Sequence, residues 1–257
     1  MPSVCLYFEV HQPMRLNRFS VFNIGNTSSP YDYFNNTLNH KIFDKVAKKC
    51  YLPTNNLLLE LIDQYDGKFN ISYSLTGTFI EYCQKHMPEV IDSFQNLVDT
   101  GSVSLMEETY FHSLASLYDD LDEFKEQVLM HNHLMKDLFN YQPKVFRNTE
   151  AIYDNRIAKA VADMGYKGIV TEGAKKILDW RSPNYLYKSV NADLDVLLRH
   201  YSLSDDVGFR FSSQGWSGFP LTADKYAGWI AQDQGDVINL FMDYETFGEH
   251  QWEHTGI

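Results

Sequence analysis

The chain has 257 residues, 44% of them hydrophobic, enough for one large α/β domain or two small ones, and no linker, repeat or low-complexity tract divides it. Its formal charge of -12 argues against nucleic acid or an anionic membrane as partner, because both require a basic footprint. Three widely spaced cysteines, Cys5, Cys50 and Cys83, fit reduced thiols of a cytoplasmic protein better than a disulfide framework, and neither a signal peptide nor a membrane span is visible.

In chain order, residues 4–10 read as a strand closed by His11-Gln12-Pro13, since proline cannot donate to a ladder. Residues 15–36, polar and aromatic, read as a long loop. Apolar residues at helical spacing over 52–65, stopped by Asp66-Gly67, predict a helix. A second strand over 69–75 runs into a helix that begins at Thr76-Gly77. Residues 88–99 form a helix with Pro88 at its start and Gly101 past its end. A third strand, 103–106, delivers Glu107, Glu108 and then His112. The helix over 122–140 is amphipathic, and its His131 and His133 face different sides, so both are read as structural. A fourth strand, 144–149, ends on Glu150, and a helix over 155–164 is closed by Gly165. The fifth strand is 168–172, and the sixth is 195–201, followed by Ser204-Asp205-Asp206. A helix over 222–234 starts behind Thr222. The seventh strand, 237–242, is apolar except for Asn239 and stops abruptly at Asp243, Tyr244 and Glu245, with Gly248, Glu249 and His250 beyond.

Short strands alternating with longer helices indicate a parallel sheet with crossover helices. Seven strands with charged or histidine-bearing tips, and His-Gln-Pro where an open doubly wound sheet would carry a Gly-rich phosphate turn, favour a closed barrel. The expected fold class is therefore α/β, a (β/α)7 barrel of parallel strands with outer helices, in one catalytic domain over residues 1–257.

Each tip has two readings. His11 is a ligand contact or a satisfied strand terminator, and Glu150 a reactive carboxylate or an ion-paired strand end. Glu107, Glu108 and His112 are a site or a surface cluster. No H-E-x-x-H, strand-tip His-x-His or cysteine pair marks a metal site, and no Gly-x-Ser-x-Gly elbow marks a serine nucleophile. A pair of carboxylates remains, Glu150 and Asp243, each at the tip of a different strand. Glycoside hydrolysis needs such a pair, one to protonate the leaving oxygen and one to attack the anomeric carbon or activate water.

His11-Gln12-Pro13, Phe146-Arg-Asn-Thr-Glu150 and Met242-Asp-Tyr-Glu-Thr-Phe-Gly-Glu-His250, in this order and spacing, resemble three regions of glycoside hydrolase family 57, most closely its α-amylase-like branch. Gly101-Ser-Val-Ser-Leu-Met-Glu-Glu108 with His112 stands where a further region is expected. The resemblance implies a seven-stranded (β/α) barrel acting on α-glucans or maltooligosaccharides by a retaining mechanism, with no cofactor or required metal. It implies Glu150 as nucleophile, Asp243 as general acid/base and His11 as a substrate contact. Gln12, Glu107, His112, Arg147, Asp206, Trp216 and Glu245 complete the expected substrate-binding set, and Trp180 is a further stacking candidate. Asp205-Asp206 is the rival for the acid role. The family's last region and C-terminal helical segment are expected beyond Ile257, which implies a barrel cut short before them. The alternatives are a metal-dependent deacetylase or mannosidase-like barrel with His11, His112 and Asp243 as ligands, and a catalytically silent glucan-binding barrel.

Overall fold

The computed structural model describes residues 2–23, 25 and 33–251. Eight strands form one sheet: β1 (Ser3–Val10), β2 (Ile71–Leu75), β3 (Val103–Leu105), β4 (Val145–Arg147), β5 (Gly168–Glu172), β6 (Tyr187–Lys188), β7 (Asp195–Arg199) and β8 (Val237–Asp243). Seven of them are parallel, in the order β3-β2-β1-β8-β7-β5-β4, while β6 lies antiparallel on β7. The two ends of this order meet at one residue beyond β3. Glu107 pairs with Phe146, its N–H donating to Val145 O at 2.9 Å and its carbonyl accepting from Arg147 N–H at 2.8 Å. The barrel is thus closed at its C-terminal rim by a single bridge.

Alternation along the strands sorts side chains between lumen and helices. On β1, Phe8 and Val10 join the large core beneath the surrounding helices, whereas Tyr7 belongs to a small cluster with Met106 and Val170 inside the barrel. The same phase puts Glu9 at the lumen's upper end, in register with Asp243 on β8.

The helices are α1 (Asn36–Val46), α2 (Leu52–Gln64), α3 (Gly77–His86), α4 (Pro88–Asp99), α5 (Asp122–Phe139), α6 (Asn155–Asp163), α7 (Lys175–Leu178), α8 (Tyr201–Gly208) and α9 (Ala223–Gln232). Three of them, α1, α7 and α8, have no counterpart in the sequence expectation. The helix foreseen over 52–65 is α2, but it runs on without a break from α1, which is capped by Asn35, whose side chain accepts from Leu38 N–H. Pro53 signals a start because it lacks an N–H and crowds the carbonyl four residues back. Here a π-helical turn, Ala47–Tyr51, widens the helix ahead of Pro53, with Leu52 N–H reaching Ala47 O, and the chain continues through. The sixth expected strand ends at Arg199, because His200 Nδ1 accepts from Leu203 N–H at 3.1 Å and opens α8. Ser204, Asp205 and Asp206 are therefore helical, not a strand tip. Of the loop expected over 15–36, residues 16 and 34 form a bridge and 21–23 a 3-10 turn, while 24 and 26–32 fall outside the described residues.

Candidate active site

The strand tips surround a cleft of about 480 Å³ at the C-terminal end of the barrel, where parallel barrels carry their chemistry. Glu150 and Asp243 both line it, as do His11, Gln12, His112, Arg147 and Glu245. Glu150 follows β4 in a 3-10 turn, Thr149–Ala151, in which Glu150 (φ 56°) and Ala151 (φ 54°) are both left-handed. Two adjacent non-glycine residues in that region cost on the order of 1–3 kcal/mol each and require support. Thr171 Oγ1 donates to Ala151 O at 2.6 Å, Asn148 Nδ2 donates to Ile152 O at 3.0 Å, and the Thr149 and Thr109 hydroxyls lie 2.9 Å apart. The bend leaves the Glu150 side chain 70% exposed.

Behind Glu150 is a nearly buried ionic cluster. His112, itself left-handed at φ 52°, places Nδ1 3.0 Å from Glu9 Oε1 and 3.4 Å from Glu108 Oε2, and Nε2 3.5 Å from Glu150 Oε1. Burial alone would strip its proton, but hydrogen bonds and charge from Glu108 and Glu9 outweigh burial and raise its pKa to about 10. Arg147 Nη1 donates to Glu9 Oε1 at 2.7 Å. Burial opposes the ionised form of Glu9 too, yet Arg147 and His112 together hold its pKa at about 2. His11 is the reverse case. Burial, then the His112 charge stacked on it at 4.4 Å, lowers its pKa to about 4, and its Nδ1 lies 3.0 Å from Thr76 Oγ1. The two stacked imidazoles are therefore one charged, His112, and one neutral, His11.

Asp243 ends β8 in a different setting. Burial raises its pKa, the Glu9 and Glu150 charges add to this, and His250 and Arg147 oppose it. Glu245, two residues on, is buried more deeply and is pushed up to about 8, although Tyr51 Oη donates to its Oε1 and Gln12 Nε2 lies 3.4 Å away. The π-helical turn supplies this support, since it also directs Cys50 Sγ at Tyr244 O.

Three expected contacts lie elsewhere. Glu107 sits one residue from the lumen-facing Glu108, so alternation turns it outward, where His131, Asn132 and Tyr166 enclose it completely. Asp206 is held in α8 by Arg210 at 2.7 Å, and Trp216 packs on Trp229; neither lines the cleft. Trp180 is 86% exposed and also absent from the lining. Asp205 accepts from Arg199 Nη2 at 2.6 Å. His131 is structural as expected, its Nε2 2.7 Å from Leu75 O.

Sequence reasoning overlooked Glu9, Glu172 and Arg199, all on the cleft wall. Their common signal is a charge at an inward position near the top of an apolar strand, visible in Val4-Cys-Leu-Tyr-Phe-Glu-Val10. The trio His11, His112 and Asp243 is not the group that converges. Among the described residues, the set close enough to hold a metal is Glu9, Glu108 and His112. Its ligand atoms already satisfy one another and receive Arg147 and Ser74, the latter at 2.7 Å.

A family model described as glycosyl hydrolase family 57 matches residues 5–257. A protein of Methanocaldococcus jannaschii named "Putative alpha-amylase" is 56% identical over 250 residues, 97% of this chain and 52% of that protein. The chain thus spans about half the length of that relative. Among solved structures, a 4-alpha-glucanotransferase from Thermococcus litoralis superposes with a TM-score of 0.68 at 15% identity, covering 96% of this chain and 34% of that one. A GH57-type branching enzyme from Pyrococcus horikoshii gives 0.66 at 11% identity, covering 96% and 64%. At these identities the structural likeness concerns the barrel fold.

Proposed function

The chain belongs to glycosyl hydrolase family 57, and from that premise we propose that it cleaves or transfers glucosidic bonds of α-glucans and maltooligosaccharides with retention of configuration. The observation that carries the proposal is that two carboxylates from different strands, Glu150 and Asp243, share one cleft in opposite electrostatic settings. Separated environments are what divide two carboxylates into acid and nucleophile.

Glu150, exposed to the cleft and backed by the His112 imidazolium, attacks the anomeric carbon and forms a glycosyl-enzyme. Asp243, whose pKa is raised by burial and by the Glu9 and Glu150 charges, gives a proton to the departing glycosidic oxygen. The resulting Asp243 carboxylate then takes a proton from water or a sugar hydroxyl as that oxygen attacks the intermediate, releasing Glu150. Neutral His11, Gln12 and protonated Glu245 line the wall as hydrogen-bonding groups that suit uncharged sugar hydroxyls. Three free cysteines, two of them fully buried, support a cytoplasmic setting, and no helix of the described residues is long and apolar enough to cross a membrane.

Product analysis on maltooligosaccharides tests this reading. Glu150→Gln lowers kcat on the order of 10⁴-fold or more, and Asp243→Asn by roughly 10²–10⁴-fold. Wild-type rates in both variants would overturn the assignment.

A further inference from the structure

Beneath the catalytic cleft, at the N-terminal end of the lumen, lies a second cavity of about 420 Å³. Parallel barrels fill such layers with branched aliphatic side chains. Here β1, β2, β3 and β8 contribute Cys5, Ser72, Ser104 and Asn239, which are too small to meet across the barrel. Tyr7, stacked on Phe241 at 5.0 Å, forms the partition: Tyr7 lines the lower cavity and Phe241 the cleft above. The remaining walls are apolar, from Met106, Val145, Val170 and Leu197.

The entrance follows from the way the barrel closes. β3 and β4 meet only at the Glu107–Phe146 bridge on the rim, and below it no strand pairing joins Leu105 to Val145. Tyr141 and Lys144 stand at this open seam. Lys144 is exposed and has no ion-pair or hydrogen-bond partner for its ammonium among the described residues. A largely apolar hollow with one unpaired cation at its mouth suits an amphiphile with a negative head. We propose that this hollow is a second ligand site, taking a medium-chain monocarboxylate whose alkyl tail fills the lumen and whose carboxylate meets Lys144. The tail supplies most of the affinity by leaving water, and the exposed ion pair adds selectivity for the head.

Cys5 reports on the site directly. It lines the cavity and is partly exposed, whereas Cys50 and Cys83 are fully buried, so iodoacetamide should label one thiol. Octanoate is expected to slow Cys5 alkylation in a saturable way, followed by intact-protein mass. Lys144→Ala should weaken octanoate protection about three- to fivefold and leave protection by octanol unchanged. Ser104→Phe, at an exposed position facing the hollow, should make the labelling rate insensitive to both. Absence of octanoate protection in the wild-type chain, or octanoate protection unaltered by Lys144→Ala, would overturn the proposal. Neither reading depends on glucan turnover, so this test and the test of the catalytic assignment fail separately.

Discussion

Glu150 and Asp243 are both strand-tip carboxylates, and what differentiates them is their neighbours. Glu9 is the pivotal one, because its charge supports the His112 imidazolium behind Glu150 and also raises Asp243. In the proposed mechanism Asp243 starts protonated, so activity should decline on the alkaline side as it ionises, at a pH above its ordinary 3.8. Glu9→Gln removes a charge that raises Asp243 and frees Arg147, which lowers it, so the alkaline limb of kcat/KM should move to lower pH. A pH–rate profile of the two enzymes checks the direction. His112→Gln keeps a donor but loses the charge and the ring packed on His11; kcat should fall by about 10²-fold through misplacement of Glu150, with KM little altered. Most of these cleft residues were legible in the sequence as polar groups at the ends of apolar runs. Glu9 was not, because it lies inside its strand and only the inward phase of β1 reveals it.

The elements hold this cleft through two joints that no local pattern announces. The first is the rim bridge at Glu107. The sequence presents Glu107 and Glu108 as equivalent, since the end of a three-residue strand cannot be placed to within one position, and one position decides lumen or exterior. Glu107 pairs outside the barrel with His131, whose pKa is raised by Glu107 against the opposing effect of burial. Glu107→Ala or His131→Ala leaves an unpaired buried partner and should cost about 3–5 kcal/mol in denaturant unfolding. The second joint is the π-helical turn against the segment after β8. Gly248 has φ 106°, and a Cβ there would collide with the Lys49 carbonyl oxygen. Gly248→Ala must therefore shift the turn that carries Asp243 and Glu245, lowering both the unfolding midpoint and kcat. Seven strands and six helices follow from apolar periodicity and Gly/Pro punctuation. The π turn and α8 do not, because Pro53 and Arg199-His-Tyr201 imitate a helix start and a continuing strand.

For the molecule as a whole, the cleft's charge arrangement should appear in its pH stability. His112 has a folded pKa of about 10 against an ordinary 6.5, so its contribution is complete below about pH 6.5 and is lost as pH rises towards 10. Glu245, raised to about 8, has the same sign: the fold favours its neutral form, so its contribution is complete below its ordinary 4.5 and is lost as pH rises towards 8. Glu9, held at about 2, works the other way, contributing above its ordinary 4.5 and losing that contribution as pH falls towards 2. His112 and Glu9 share one contact, so their two windows describe one ion pair. The unfolding temperature should accordingly drop between about pH 7 and about pH 10, and His112→Gln should flatten part of that drop. The central claim remains that Glu150 carries the sugar between two displacements. Treating Asp243→Asn with α-maltosyl fluoride tests it most directly, because fluoride leaves without acid help while release from the enzyme still needs the missing base. The account predicts that one maltosyl unit accumulates on the peptide containing Glu150; absence of an adduct, or its appearance on Glu172 or Glu245, would contradict it.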